Sequence, residues 1–358
     1  MQTPLAAVVL LAGACSASGQ VQFLPLPPGV QQPGPAPVRI SADGSTVAFA
    51  HITGEPYEER AYLFDGQWSA LPRVSILNWQ MGLSADGGTS LMFHSNYFKW
   101  AVSVVGPGVA REIASTAGAY VAGALTRDGG TAYIGIQEHL TDDQAFLARW
   151  DGAETRVLGP MPVVYGRIDS MLAGERDDLV VINADQRTLF YHTGGPGRTV
   201  VWRNGTFTEL ATLPDRPYVR SFAADMNADG SIIIGNQQSW DAWGNTWENR
   251  RSWINRDDGL SEVRVDGFAW HVLTAVSDDG SVITGHGLGE DGLSDAFVLH
   301  ANGSVQRARA LLLGAGHDVL DDDVVRFVDV SADGRIVLGV VYGAEVRGFR
   351  LTLPSDGL

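Results

Sequence analysis

Six copies of one short turn, spread through the chain at similar intervals, constrain the fold more than any other feature. They are Ser41-Ala42-Asp43-Gly44, Ser84-Ala85-Asp86-Gly87, Arg127-Asp128-Gly129-Gly130, Asn227-Ala228-Asp229-Gly230, Ser277-Asp278-Asp279-Gly280 and Ser331-Ala332-Asp333-Gly334. Neighbouring copies lie roughly 42 to 54 residues apart, with one doubled gap. That gap holds a degraded copy at Glu175 to Asp178, followed by Leu179-Val180-Val181-Ile182, which brings the count to about seven. An Asp-Gly pair between two apolar runs suits a hairpin: the carboxylate bonds the turn backbone, and glycine takes positive φ without steric cost. The turns therefore need no catalytic explanation.

Each turn precedes a β-branched run such as Ile232-Ile233-Ile234-Gly235, Val282-Ile283-Thr284-Gly285 or Ile336-Val337-Leu338-Gly339, which reads as a buried strand. A second apolar and aromatic run follows, closed by another turn: Ala61-Tyr62-Leu63-Phe64 before Asp65-Gly66, Ala145-Phe146-Leu147 before Asp151-Gly152, Val200-Val201-Trp202 before Asn204-Gly205, and Ala296-Phe297-Val298-Leu299 before Asn302-Gly303. With a weaker run after it, each unit is a four-strand meander, the blade of a propeller. The expectation is an all-β protein, a β-propeller of seven four-stranded blades, with six or eight as alternatives. Val21 to Leu26 is an apolar strand without a unit, and the last unit ends on its third strand near Gly348-Phe349-Arg350-Leu351. If the early strand completes the last blade, the two ends clasp and few edges stay free. Pro27 to Pro37 then connects that strand to the first blade.

Length and composition fit this reading. A chain of 358 residues can form one all-β unit, here residues 20–358, and 45% hydrophobic residues with 43 glycines supply both a core and many tight turns. A net charge of -16 without a Lys/Arg cluster argues against nucleic acid as a partner. Leu5 to Ala14 is a short apolar run followed by small residues, so residues 1–19 read as an export signal, and no later segment resembles a membrane helix. Cys15, the only cysteine, follows Ala12-Gly13-Ala14, which leaves two readings: lipidation at a lipobox-like site or ordinary signal cleavage. The expected location is secreted, periplasmic or lipid-anchored at a bacterial envelope. With no second cysteine, the fold rests on packing and hydrogen bonds.

The joint recurrence of Ser-Ala-Asp-Gly, a β-run ending in Gly, and an Ala-Phe-Leu or Ser-Trp-Ile strand resembles the HAF-repeat family of bacterial extracellular proteins, over roughly residues 20 to 354. The closing portion, Leu311-Leu312-Leu313-Gly314-Ala315-Gly316 leading to Val330-Ser331-Ala332-Asp333-Gly334 and Phe349-Arg350-Leu351, is especially similar. The resemblance implies an exported repeat protein and carries over no catalytic residues. The second and fourth units depart from it, since the glycine after their β-run is replaced.

In a four-stranded blade the loop between second and third strands and the connection to the next blade share one face, and variable loops on a rigid scaffold are the usual seat of binding residues. The longest such connection, Asn236 to Arg251, carries Trp240, Asp241, Trp243, Asn245, Trp247 and Glu248, a set suited to stacking and hydrogen-bonding a sugar; the alternative is tryptophans packed between blades. Asp318, Asp321, Asp322 and Asp323 form a second cluster, read either as a Ca²⁺ site or as a solvated acidic loop. The eight histidines lack ligand spacing, although His51 and His286 hold similar places after the second strand of their units. No zinc, nucleophile-elbow or phosphate-loop motif is present, nor the Ser-x-Asp-x-Gly-x-x-Trp boxes of a sialidase. The functional expectation is a monomeric, non-catalytic binding or scaffold protein for an extracellular polymer or protein. Its rival is a glycan hydrolase or lyase using loop carboxylates such as Asp241 and Glu248.

Overall fold

The computed structural model describes residues 20–27, 36–53, 58–72, 77–95, 99–106, 109–117, 120–137, 145–161, 167–174, 179–185, 197–213, 219–240, 247–256 and 259–354. Their strands sort into seven four-stranded antiparallel blades. Blade 1 runs from Ala36 to Ala70, blade 2 from Leu77 to Ala117, blade 3 from Tyr120 to Met161 and blade 4 from Arg167 to Glu209. Blade 5 spans Val219 to Val263, blade 6 Phe268 to Arg307, and blade 7 Val324 to Thr352. Blades 4 and 5 touch edge to edge through a single parallel pair, Gly197 with Arg220. Blade 7 contributes only three strands of its own. The strand Gln20–Phe23 pairs antiparallel with Val346–Thr352 and completes it, so the early strand does clasp the late one. Arg350 locks that clasp by donating to Gly44 O, Ser45 O and Gln22 Oε1, which joins blade 7, the early strand and the first turn of blade 1.

The repeated turn shows why its sequence recurs. In blade 1 the Ser41 hydroxyl donates to Asp43 Oδ1 at 2.7 Å, the same carboxylate accepts Ser45 N–H, and Ser41 Oγ accepts Thr46 N–H. Blades 2, 3, 6 and 7 repeat the arrangement around Asp86, Asp128, Asp279 and Asp333. These bonds favour the charged carboxylate: the Ser45 amide and then the Ser41 hydroxyl hold Asp43 below its ordinary value. The glycine has a second duty. Gly87 has φ 70°, and a Cβ there would lie 2.5 Å from Thr46 Cβ of the preceding blade. The same step recurs where Gly334 meets Val282 and Gly44 meets Ile336, so each turn nests against the blade before it.

The glycine that ends the β-run serves the blade's own packing. Gly339 sits opposite Phe349, and a Cβ there would come 2.2 Å from Phe349 Cζ; Gly285 stands in the same relation to Phe297, and Gly235 to Trp253. Glycine on the second strand and an aromatic ring on the third are thus one device, which explains their joint recurrence. Phe297, Phe349 and Trp253 have no exposed surface, so this last tryptophan is a core residue between sheets.

One element departs from the all-β expectation. Residues Ala308–Gly314 form a helix between blades 6 and 7. The run Ala-Arg-Ala-Leu-Leu-Leu consists of strong helix formers, and Ala308 and Leu312 bury against Val325 and Phe327 of blade 7 in one apolar cluster.

Substituting Gly339→Ala is expected to destabilise the fold by about 1–3 kcal/mol by overpacking. Combining it with Phe349→Leu should recover about 1 kcal/mol or more relative to the sum of the single changes, because the three atoms nearest the added Cβ all belong to that ring. Urea denaturation of the four proteins in the cycle measures this; strict additivity would refute the glycine–ring pairing.

Candidate functional site

The first strand of each blade lines the centre of the ring, and a β-bulge decides what points into it. Register shifts fall between Pro37 and Arg39, Ala223 and Asp225, and Phe327 and Asp329, and each re-aims a charged residue toward the lumen. Arg39, Asp225 and Asp329 each lie two residues before the first residue of their blade's turn. The same step holds Gly82 and Ala275 in blades 2 and 6, and Ala124 in blade 3, where Thr126 takes the place of the turn's serine, which leaves room around the charges.

The two carboxylates stitch neighbouring blades together. Asp225 Oδ2 accepts Val276 N–H of blade 6 at 2.9 Å, and Asp329 Oδ2 accepts Ile40 N–H of blade 1 at 2.9 Å. Burial pushes Asp225 up to about 6, and the nearby Asp329 charge adds to this, against the pull of Arg39, the Val276 amide and Arg127. Burial likewise raises Asp329, opposed chiefly by Arg39. Arg39 is therefore the cation these two carboxylates face.

Toward the Asp-Gly turns the lumen narrows to a cavity of about 100 Å³. The residue after the first turn position bonds its counterpart in the next blade: Ala42 N to Ala85 O, Ala85 N to Arg127 O, Asp278 N to Ala332 O, and Ala332 N to Ala42 O. Across this belt the Arg127 side chain of blade 3 forms an ion pair with Asp278 of blade 6, which spans the ring. The opposite end opens into a cavity of about 750 Å³ over blades 1, 5, 6 and 7, and Arg39 lines both spaces. The central space is thus a funnel that narrows toward the belt of turns.

The mouth has an unusual lining for an acidic chain. Arg250 and Arg326 border it, with Gln238, Thr274 and Tyr342 as polar neighbours and Phe222, Val272 and Val328 as part of the apolar wall. No Asp or Glu lines it among the described residues. The guanidinium of Arg250 lies 4.2 Å from the centre of the Trp270 ring, and that of Arg326 lies 5.5 Å from the Tyr342 ring. His286 completes the wall: burial lowers its imidazole to about 4, and repulsion from Arg326 and Arg250 adds to this, so the ring is neutral at pH 7.

This mouth opens on the face where the second strands end, the face expected to carry binding residues. The residues singled out there fare differently. Trp240 and Trp247 end the second and third strands of blade 5 and pair across them, as do Ser239 and Glu248. The expected long loop is therefore largely hairpin, with Asn236–Trp240 and Trp247–Arg251 in paired strands. Asp241, Trp243 and Asn245 lie outside the described residues, as does the degraded turn at 175–178. Asp318, Asp321 and Asp322 are exposed, while Asp323 is buried: its carboxylate accepts Leu320 N–H and its carbonyl accepts from Arg309. Among the described residues no three His, Cys, Asp or Glu side chains gather as a metal site. Sequence reasoning missed Arg39, Asp225, Asp329, Arg250 and Arg326. The one available signal was a charged residue two places before a Ser or Asn that opens a turn, in strands otherwise apolar.

No protein-family model and no curated protein match the chain. Solved structures do. The β-propeller domain of the Trilobed protease from Pyrococcus furiosus matches with a TM-score of 0.56 at 13% identity, over 88% of this chain and 95% of that one. Kuenenia stuttgartiensis hydrazine synthase matches at 0.53 and 16%, over 87% and 93%. A prolyl endopeptidase matches at 0.52 and 12%, over 91% of this chain but 47% of that one, so this chain spans about half the enzyme's length. At these identities the likeness establishes the propeller fold. The functional expectation drawn from sequence, a non-catalytic polymer-binding scaffold or a glycan hydrolase, has no counterpart among the structures named here, which include the Trilobed protease, a prolyl endopeptidase and the tricorn protease.

The titration of Asp225 gives a test of the lumen. A carboxyl whose folded value lies above its unfolded one binds more protons when folded between about pH 4 and 6, so its contribution to stability is largest below pH 4 and falls as pH rises through 6. Asp225→Asn keeps an oxygen for the Val276 amide and cannot ionise. It is expected to gain about 1–3 kcal/mol over wild type at pH 8 and little at pH 4. Urea denaturation at pH 4, 6 and 8 decides; an equal difference at all three would remove the buried-charge account.

Proposed function

We propose that the protein is a peptidase-related propeller whose funnel receives a segment of peptide chain for cleavage by a peptidase active site. The observation that carries this reading is a cavity of about 750 Å³, open on one face and narrowing toward the belt of turns and the Arg127–Asp278 pair. A space that narrows from one open face suits a chain end or a narrow loop, and it excludes folded domains by size. The apolar wall of Phe222, Val272 and Val328 suits side chains, and Gln238, Thr274 and Tyr342 supply partners for main-chain amides. The fold likeness to the Trilobed protease propeller and to a prolyl endopeptidase supports the same reading.

We place this activity outside the cytoplasm, with residues 1–19 as the export signal and Cys15 as either a lipidation site or part of the removed leader. Membership of the HAF-repeat family belongs to the same proposal, on the turn and glycine–aromatic pattern described above. Mass spectrometry of the mature amino terminus distinguishes the two fates of Cys15.

The direct test is retention of ligands by the immobilised protein. Short peptides from a casein digest are expected to be retained and soluble oligosaccharides to pass. Ala224→Trp, which fills the cavity from blade 5, should abolish retention without changing the thermal midpoint by more than a few degrees. Retention of oligosaccharides in place of peptides would refute the reading.

A further inference from the structure

The chain has a net charge of -16, yet the funnel mouth is positive. Arg39 faces Asp225 and Asp329, which compensate it from within the lumen. Arg250 and Arg326 are different: among the described residues neither pairs with a carboxylate or donates a hydrogen bond, and each rests on an aromatic ring. Stacking holds the plane of a guanidinium and leaves its edge N–H groups unspent, the geometry suited to a planar, two-oxygen acceptor. His286 lies in the same wall, with a buried Nδ1 that has no hydrogen-bond partner. Two side chains on separate blades, held by separate rings and converging on one cavity without a counter-ion among the described residues, are a preorganised anion site.

We infer that Arg250 and Arg326 form a carboxylate-reading site at the funnel mouth, and that the carboxylate is carried by the bound peptide, at its C-terminus or on an acidic side chain. This rests on the peptide-receiving reading above and adds a specificity to it. The apolar wall beside the arginines takes the neighbouring aliphatic or aromatic residue, so the ligand is an apolar segment bearing one negative group. A bound anion also screens the repulsion that Arg250 and Arg326 exert on His286, so it should draw the imidazole toward its ordinary value.

The test uses the full chain and three probes in calorimetric titrations at low salt: N-acetyl-trialanine as the free acid, the same peptide as its C-terminal amide, and N-acetyl-Ala-Glu-Ala amide. The free acid, the glutamate peptide or both are expected to bind about tenfold or more tighter than the neutral amide. Whichever of the two binds identifies the source of the carboxylate. Arg250→Ala and Arg326→Ala should each remove about tenfold of that preference while leaving the neutral amide unchanged, and Arg250→Lys should restore part of it. Thermal midpoints within a few degrees of wild type show that the variants fold. A second readout follows the His286 ring by NMR, where saturation with the preferred peptide should raise its titration midpoint in wild type and not in Arg326→Ala.

Equal affinity for all three peptides would overturn the carboxylate site while the peptide-receiving function stood. Failure of all three to bind would overturn both. An acid preference that survives the loss of both arginines would also overturn the assignment.

Discussion

The ring depends on a contact that any side chain would prevent: the glycine of each Asp-Gly turn lies against the blade before it, close enough at Gly87 that a Cβ would overlap Thr46. That approach lets consecutive turns come within hydrogen-bonding distance, and the amide of one reaches the carbonyl of the next from blade 6 through blade 7 and blade 1 to blade 3. Backbone groups that would otherwise be stranded near the centre thereby find partners. The Ser-to-Asp and Asp-to-amide bonds hold each turn in the one shape that allows it. Inter-blade apolar clusters then fill the space outward from this hub.

Fixing the turns on one face fixes the character of the other. The narrow end is spent on structure: its polar groups bond one another, and Arg127 and Asp278 neutralise each other across it. The wide end has no such belt, and the strands diverge there into connections of different length. Bulges on the first strands place Arg39, Asp225 and Asp329 at the level between the two regimes, where burial disfavours charge but a cation stands opposite two acids. Above that level only positive and neutral groups line the wall among the described residues.

Most of the architecture was legible in the sequence because its determinants are local. A turn needing positive φ, a glycine facing a ring on the adjacent strand, and an orphan apolar strand near the start each carry their signature within a few residues, and each recurs. The centre was not legible in the same way. Arg39 and Asp329 are 290 positions apart and meet only once the ring closes, and both aim inward because of bulges that no short pattern announces. Arg326 looks like an ordinary polar interruption in Val324–Val330 until blade 5 brings Arg250 to the same cavity. The tryptophan-rich stretch misled for the opposite reason: composition suggested a loop, while cross-strand pairing carries Trp240 and Trp247 into the sheet. The helix at Ala308–Gly314 was hidden by a leucine run that reads equally well as a buried strand.

The clasp between Gln20–Phe23 and Val346–Thr352 has a bearing on how the molecule is made. One partner precedes the first blade along the chain and the other ends the seventh, so all seven blades must be delivered before the circle can shut. Until then the third strand of blade 7 lacks its outer neighbour and the nascent ring is an open arc. Completion of the structure thereby doubles as a check on the integrity of the chain: a product broken off before Val346 retains six blades and no means of joining their ends.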